Sequence, residues 1–368
     1  MLTTARLPAA APFDFAHSLA FVSGFSPMSG EQTVGAAHLT KALSVDHRAV
    51  VFRVRPDGDR EDPALAVDLF SVDPLAPTTR SAALARIASY LGATDDLDAF
   101  YATAAPDRAF APLTRTYRGL RHVRFPRPFE AACWGVINQR AQLTTARRMK
   151  DALTRRAGPS FTVDGVEYRA FPEPDVVARL DEAELAALLP GGRRAKAVAA
   201  VARAFVDVDE RFLHEAPVAE VREWLHAIHG VGPFTSGFVL YRGLGRFDGA
   251  ALVAPRLVQA ASHQYGRTLT PSDVARLAEG YGPWGGYWML YLWASTFIDY
   301  CDETRSSTAL PSASALPDST RWSTRRLTSS REHPSTPAPP RARWSPPVRP
   351  SAARARRASP LPPPPRFR

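Results

Sequence analysis

The chain of 368 residues is long enough for two or three domains, and its apolar fraction of 45% is that of a globular protein. It has no apolar run of membrane-spanning length, its start MLTTARLPAAAPFDF lacks the apolar stretch of a secretion signal, and Cys133 and Cys301 are too few for a disulfide framework or zinc cluster; a cytoplasmic protein is expected. The net charge of +10 invites a nucleic-acid partner, yet residues 304–368 carry thirteen Arg against only Asp318 and Glu332, so the remainder is close to neutral and any DNA-binding face has to be local.

In chain order, residues 12–125 read as an amino-terminal α/β sheet domain. His47–Pro56 (HRAVVFRVRP) and Ala64–Val72 (ALAVDLFSV) have the character of strands, and Ser81–Leu91 has apolar residues at helical spacing. Residues 126–302 read as all-helical. Phe129–Arg156, Pro174–Leu189, Arg194–Phe205, Val218–His229, Phe234–Leu244, Val253–Ser262, Pro271–Tyr281 and Trp284–Asp299 are separated by short Gly- and Pro-containing breaks. Residues 303–368 hold fourteen of the 34 prolines and read as a disordered tail, either a basic arm for DNA or a dispensable extension. The fold class expected is α+β, with an antiparallel sheet domain followed by an all-α core.

The most informative stretch is Leu225–Phe238, LHAIHGVGPFTSGF. It reads as a helix, a tight Gly230-Val231-Gly232 turn and a second helix starting near Pro233. Two glycines two apart permit a sharp turn and leave amide groups free at a helix start, which can hold a DNA phosphate without side-chain charge. Such a turn also serves as a plain helix connection, so context decides.

In that context the chain resembles the bacterial DNA-3-methyladenine glycosylase II family of the helix-hairpin-helix superfamily. Besides GVG-x-F-T, the similar segments are Phe13–Phe21 (FDFAHSLAF), Trp134–Met149 (WGVINQRAQLTTARRM), Phe171–Phe205 with its FP-x-P opening, and Tyr281–Trp293 (YGPWGGYWMLYLW). The resemblance implies base-excision repair: a monofunctional N-glycosylase that holds double-stranded DNA and flips out and releases an alkylated purine such as 3-methyladenine. It implies base-pocket aromatics at Phe21, Phe234, Phe238 and Trp293, whose π-faces would attract a cationic base. Each is equally readable as core. It implies DNA contacts from Gln139, Arg140, Gly230, Val231, Gly232 and Thr235, with Gln139 and Arg140 filling the gap left by the base. Arg140 departs from the apolar wedge common at that position. The resemblance further implies a monovalent cation on the main-chain carbonyls of Ile228 and Val231. No nucleotide cofactor or other metal spacing is indicated, and a monomer is expected.

One departure bears on chemistry. The superfamily places a catalytic Asp at the start of the helix after the hairpin, and an ungapped count from Gly232 puts Ala254 there. Its neighbours Val253, Pro255 and Arg256 are not acidic; Asp248 and Asp299 are distant substitutes. Loss of such an electrostatic catalyst typically costs about 10²–10³-fold in rate. Phe234 occupies the place of the lysine that bifunctional members use, which argues against a lyase step. A divergent glycosylase, a non-catalytic DNA-damage-binding protein on the same scaffold, a shifted alignment and a helical scaffold unrelated to DNA all stay open.

Overall fold

The computed structural model describes residues 1–246 and 253–296. The chain divides into two units, Met1–Trp322 and Ser323–Arg368, and every described residue belongs to the first.

Five strands form one antiparallel sheet in the order β1-β5-β4-β3-β2: β1 (Leu2–Pro8), β2 (Gln32–Val34), β3 (Leu39–Val45), β4 (Arg48–Pro56) and β5 (Ala64–Phe70). Helix α1 (Phe15–Gly24) lies between β1 and β2, and α2 (Pro77–Leu91) follows β5. β1 precedes the segment in which the sequence reading began its sheet domain. The β3–β4 turn is two residues long, with Val45 opposite Arg48 and both Asp46 and His47 at positive φ, as a tight hairpin requires. Val50, Phe52 and Val54 are buried in one core with Tyr90 of α2, while Val51 on the opposite face packs with Val163 and Tyr168.

Those two residues belong to a hairpin, β6 (Ser160–Val163) and β7 (Val166–Arg169), inside the segment expected to be wholly helical. Its turn is Asp164-Gly165, both at positive φ, flanked by the alternating FTV and VEYR. Asp-Gly between such runs is a strong hairpin signal. The remainder of the segment is helical: α5 (Pro128–Ile137), α6 (Leu143–Ala157), α7 (Pro174–Ala178), α8 (Glu182–Leu188), α9 (Arg193–Asp207), α10 (Glu210–Glu215), α11 (Val218–Ala227), α12 (Pro233–Phe238), α13 (Pro255–Gln264), α14 (Pro271–Gly280) and α15 (Gly285–Ser295). Here α3 and α4 denote the earlier helices Leu97–Ala104 and Ala111–Thr116. The expected helix Phe129–Arg156 breaks into α5 and α6 at a turn containing Arg140, whose φ is +51°. The expected helix Pro174–Leu189 breaks because Asp181 starts α8 with a reciprocal capping box to Glu184.

Besides the small cluster of Val51 with Val163 and Tyr168, two larger cores cross the sequence boundary near residue 125. One joins the sheet and α1 to α5, α6, α9 and α11; the other joins Leu97, Phe100 and Phe110 of the α3–α4 region to Leu257, Trp288 and Tyr291 of α13–α15. Within the first lies a buried charge cluster: Lys150 donates to Glu130 Oε1 at 2.7 Å and pairs with Glu31, which also accepts from Lys41 at 2.9 Å. Among the described residues no helix is long and apolar enough to cross a membrane. Residues 303–368, expected to be disordered, lie outside the described residues.

Candidate DNA interface and base cleft

The hairpin forms as its glycines demand. α11 ends at Ala227, the Val231 amide donates to the Ile228 carbonyl at 3.0 Å, and α12 starts after Gly232. Gly230 has φ +88°, and a Cβ there would stand 2.4 Å from the Cβ of Ala197. Gly232 is extended and has open space where a Cβ would be. The Gly230 and Gly232 amides make no main-chain hydrogen bond among the described residues, which leaves them for an external acceptor. His226 Nε2 and Ser236 Oγ, 2.7 Å apart, brace α11 against α12.

Gln139 and Arg140 lie in the α5–α6 turn beside this hairpin, both exposed. Gln139 Nε2 donates to the Gly230 carbonyl at 2.8 Å and to Thr235 Oγ1 at 3.1 Å. Arg194 of α9, which the sequence reading did not single out, fixes the same turn: Nη2 donates to the Gln139 carbonyl at 2.8 Å and Nε to the Ile137 carbonyl at 3.1 Å. Arg140 is thereby presented in a left-handed backbone conformation that costs a non-glycine residue about 1–2 kcal/mol, a kind of strain that collects at functional sites. Thr235 departs from expectation. It is 1% exposed, packs against Gly135 where a Cβ would lie 2.7 Å from its Cγ2, and spends its hydroxyl on Gln139, so it joins α5 to the hairpin and offers DNA no surface.

Behind the turn opens a cleft of about 1020 Å³, part of it open solvent, between α5, α12, α13 and α15. Phe234, Phe238, Trp293 and Ala254 all line it. Phe234 and Phe238 stack with centroids 6.3 Å apart, and Phe125 meets Phe238 edge-on. Phe21 is not on the lining: it is buried behind the wall, edge-on to Trp293 and stacked on Phe25, and Phe25 faces the cleft instead. Trp134, Asn138, Arg242, Arg256 and Met289 also line the cleft and escaped the sequence reading. Arg242 follows two apolar residues and a tyrosine in a helix and carries no motif; Asn138 stands one residue before a position that the resemblance marks.

Ala254 is the N-cap of α13, with extended backbone and no side-chain cap. The position is thus a helix start opening on the cleft, where a carboxylate would accept first-turn amides. No carboxylate and no lysine is among the cleft-lining residues described. Asp248 and Asp299 lie outside the described residues.

The fold is that of a solved 3-methyladenine DNA-glycosylase from Archaeoglobus fulgidus, with a TM-score of 0.66 over 80% of this chain and 99% of that one at 19% identity. In sequence the chain is 28% identical over 204 residues to a DNA-3-methyladenine glycosylase of Bacillus subtilis (strain 168), spanning 54% of this chain and 67% of that protein. It is 24% identical over 284 residues to DNA-3-methyladenine glycosylase 2 of Escherichia coli (strain K12), spanning 77% and 94%. In sequence as in fold, the chain is similar to DNA-3-methyladenine glycosylases. No family model matches the chain.

Proposed function

We propose that this chain is a monofunctional DNA N-glycosylase of base-excision repair that binds duplex DNA and flips out and releases alkylated purines, the class to which the 3-methyladenine of its relatives' names belongs. The single observation that carries this reading is spatial. The Gly230–Gly232 hairpin, the strained Arg140 turn tied to it through Gln139, and the aromatic cleft of Phe234, Phe238 and Trp293 adjoin one another. A hairpin of free amides suits a phosphate, an exposed side chain beside it suits the gap in the stack, and an aromatic-lined cleft suits a flipped base.

The reaction is hydrolysis of the N-glycosidic bond by water. Because the cleft lining described contains no lysine, the mechanism stops at base release and leaves the strand intact. The carbonyls of Ile228 and Val231 are neutral hard oxygens, a donor set that suits a monovalent cation, and Ile228 already accepts the Val231 amide. Such a cation at the hairpin, a cytoplasmic location and a monomeric state are parts of this proposal. A damage-binding protein without activity is favoured by Ala254 alone.

Duplex DNA carrying an alkylated purine, incubated with the full chain and analysed by chromatography, tests the proposal. Free base should appear faster than in the enzyme-free control, with strand scission only after alkali. Retained binding to abasic duplex with no release above the control would leave the non-catalytic reading instead.

A further inference from the structure

Arg242 places a fixed cation in a cleft that a cationic base would have to enter. Its guanidinium carbon stands 4.8 Å from the Phe21 ring centroid, 5.2 Å from Phe25 and 4.7 Å from Tyr241. Three aromatic rings are therefore engaged by the protein's own cation, including Phe21, one of the rings expected to attract a charged base. Among the described residues, both hydrogen bonds of the Arg242 guanidinium to protein come from one nitrogen. Nη1 donates to the Val123 carbonyl at 3.2 Å and to His122 Nε2 at 3.1 Å. His122 acts as the acceptor because burial, together with Arg242 and Arg124, holds it well below its ordinary value and so neutral. Among the described residues Nε and Nη2 bond to no protein group, and no carboxylate is among the described cleft-lining residues to balance the charge.

We propose that Arg242 selects, among modified purines, neutral ones that present hydrogen-bond acceptors over cationic N3- or N7-methylated ones. The inference rests on the reading that the cleft receives a flipped purine. A cationic base entering it meets like charge on the cleft wall, and repulsion there is stronger than in bulk water. A neutral base with ring-nitrogen or oxygen acceptors meets a donor-only fork and gains a charge-assisted hydrogen bond.

The same contact acts on the bond that breaks. In hydrolysis the C1′–N9 electron pair leaves with the base and the water oxygen bonds to C1′; one water proton ends on the departing ring of a neutral purine, or in solvent when the purine was a cation. A neutral purine departs with negative charge developing on its ring, which a guanidinium stabilises as it grows. A cationic purine departs neutral and gains nothing from it. Leaving-group stabilisation thus offsets part of what the missing carboxylate at Ala254 would supply.

The test is binding of the full chain to duplexes carrying 1,N6-ethenoadenine, a neutral base without N–H donors on its modified edge, or N7-methylguanine below neutral pH, where it is a cation. Both are built on 2′-fluorinated sugars that resist cleavage. Ethenoadenine should bind about tenfold more tightly, the scale of one charge-assisted hydrogen bond. R242Q should erase that preference while keeping affinity for abasic duplex, and R242K should still disfavour the cation. Equal affinity of the wild-type chain for both duplexes, or preference for the methylated cation, overturns the proposal without recourse to any variant. Release from ordinary sugars is scored separately. Discrimination in binding without release would uphold the selectivity and overturn the hydrolase reading.

Discussion

Gln139 donates to the carbonyl of Gly230 across 2.8 Å, so the turn that would enter the base stack is tied to the turn that would hold the backbone. Gln139→Ala removes two hydrogen bonds from an exposed side chain and should cost about 1–2 kcal/mol of stability. It should nevertheless weaken binding to abasic duplex, since the two turns lose their common register. Fluorescence anisotropy beside a thermal melt separates the two effects.

The hairpin glycines make opposite predictions about stability. Gly230→Ala forces a Cβ to 2.4 Å from Ala197 at φ +88° and should destabilise the fold by about 1–3 kcal/mol. Gly232→Ala meets open space and extended backbone, so the melting temperature should stay put. DNA affinity should still fall, because the added methyl group stands between the hairpin amides and a phosphate. Unchanged affinity in a folded Gly232→Ala protein would remove the hairpin from the interface.

Ala254→Asp supplies both a helix cap and a carboxylate on the cleft. Capping α13 should raise stability by about 0.5–2 kcal/mol, and base release should speed up, since the position opens on the cleft. A stabilised protein with no gain in release would place catalysis elsewhere.

The Lys150 cluster sets an acid limit on stability. Burial alone would raise the Glu31 carboxyl, but Lys150 and Lys41 overcome it and hold Glu31 at about 2, against an ordinary value of 4.5. A carboxylate depressed on folding contributes its stability above the ordinary range and loses it as pH falls towards the folded value. Stability should therefore drop by about 3 kcal/mol between those two values, on the scale of one pKa unit to about 1.4 kcal/mol. Glu31→Gln should flatten that limb in a denaturant titration against pH and, by leaving Lys150 and Lys41 short of a partner, cost about 3 kcal/mol near neutrality.

Truncation after Asp302 removes thirteen arginines. If the basic tail touches phosphates, the slope of log affinity against log salt should become shallower by about 0.9 for every phosphate that the tail neutralises.

Helix order and the hairpin were legible in the sequence because each rests on local signals: Gly230 and Gly232 at the turn, and prolines at the starts of α5, α12, α13 and α14. β6–β7 was legible too, in Asp164-Gly165, but was obscured by the helical pattern on either side. Phe234, Phe238, Trp293 and Ala254 meet at one cleft from distant parts of the chain, and only a resemblance could have joined them. Thr235 and Phe21 show the limit of that route. Their types suit a site, yet whether a hydroxyl or a ring faces solvent depends on what packs behind it, here Gly135 for one and Phe25 and Trp293 for the other. Arg242 was invisible for the same reason, because an arginine in an apolar helix reads as exposed until Phe21, Phe25 and Tyr241 are seen around it.

The most direct test of the account is single-turnover release of an alkylated purine from duplex DNA saturated with protein, measured beside the enzyme-free rate and repeated with Trp293→Ala. The account predicts release above the spontaneous rate, sharply reduced when the cleft loses Trp293 although abasic DNA is still bound. Release from the bound duplex at the spontaneous rate, identical for wild type and variant, would contradict it.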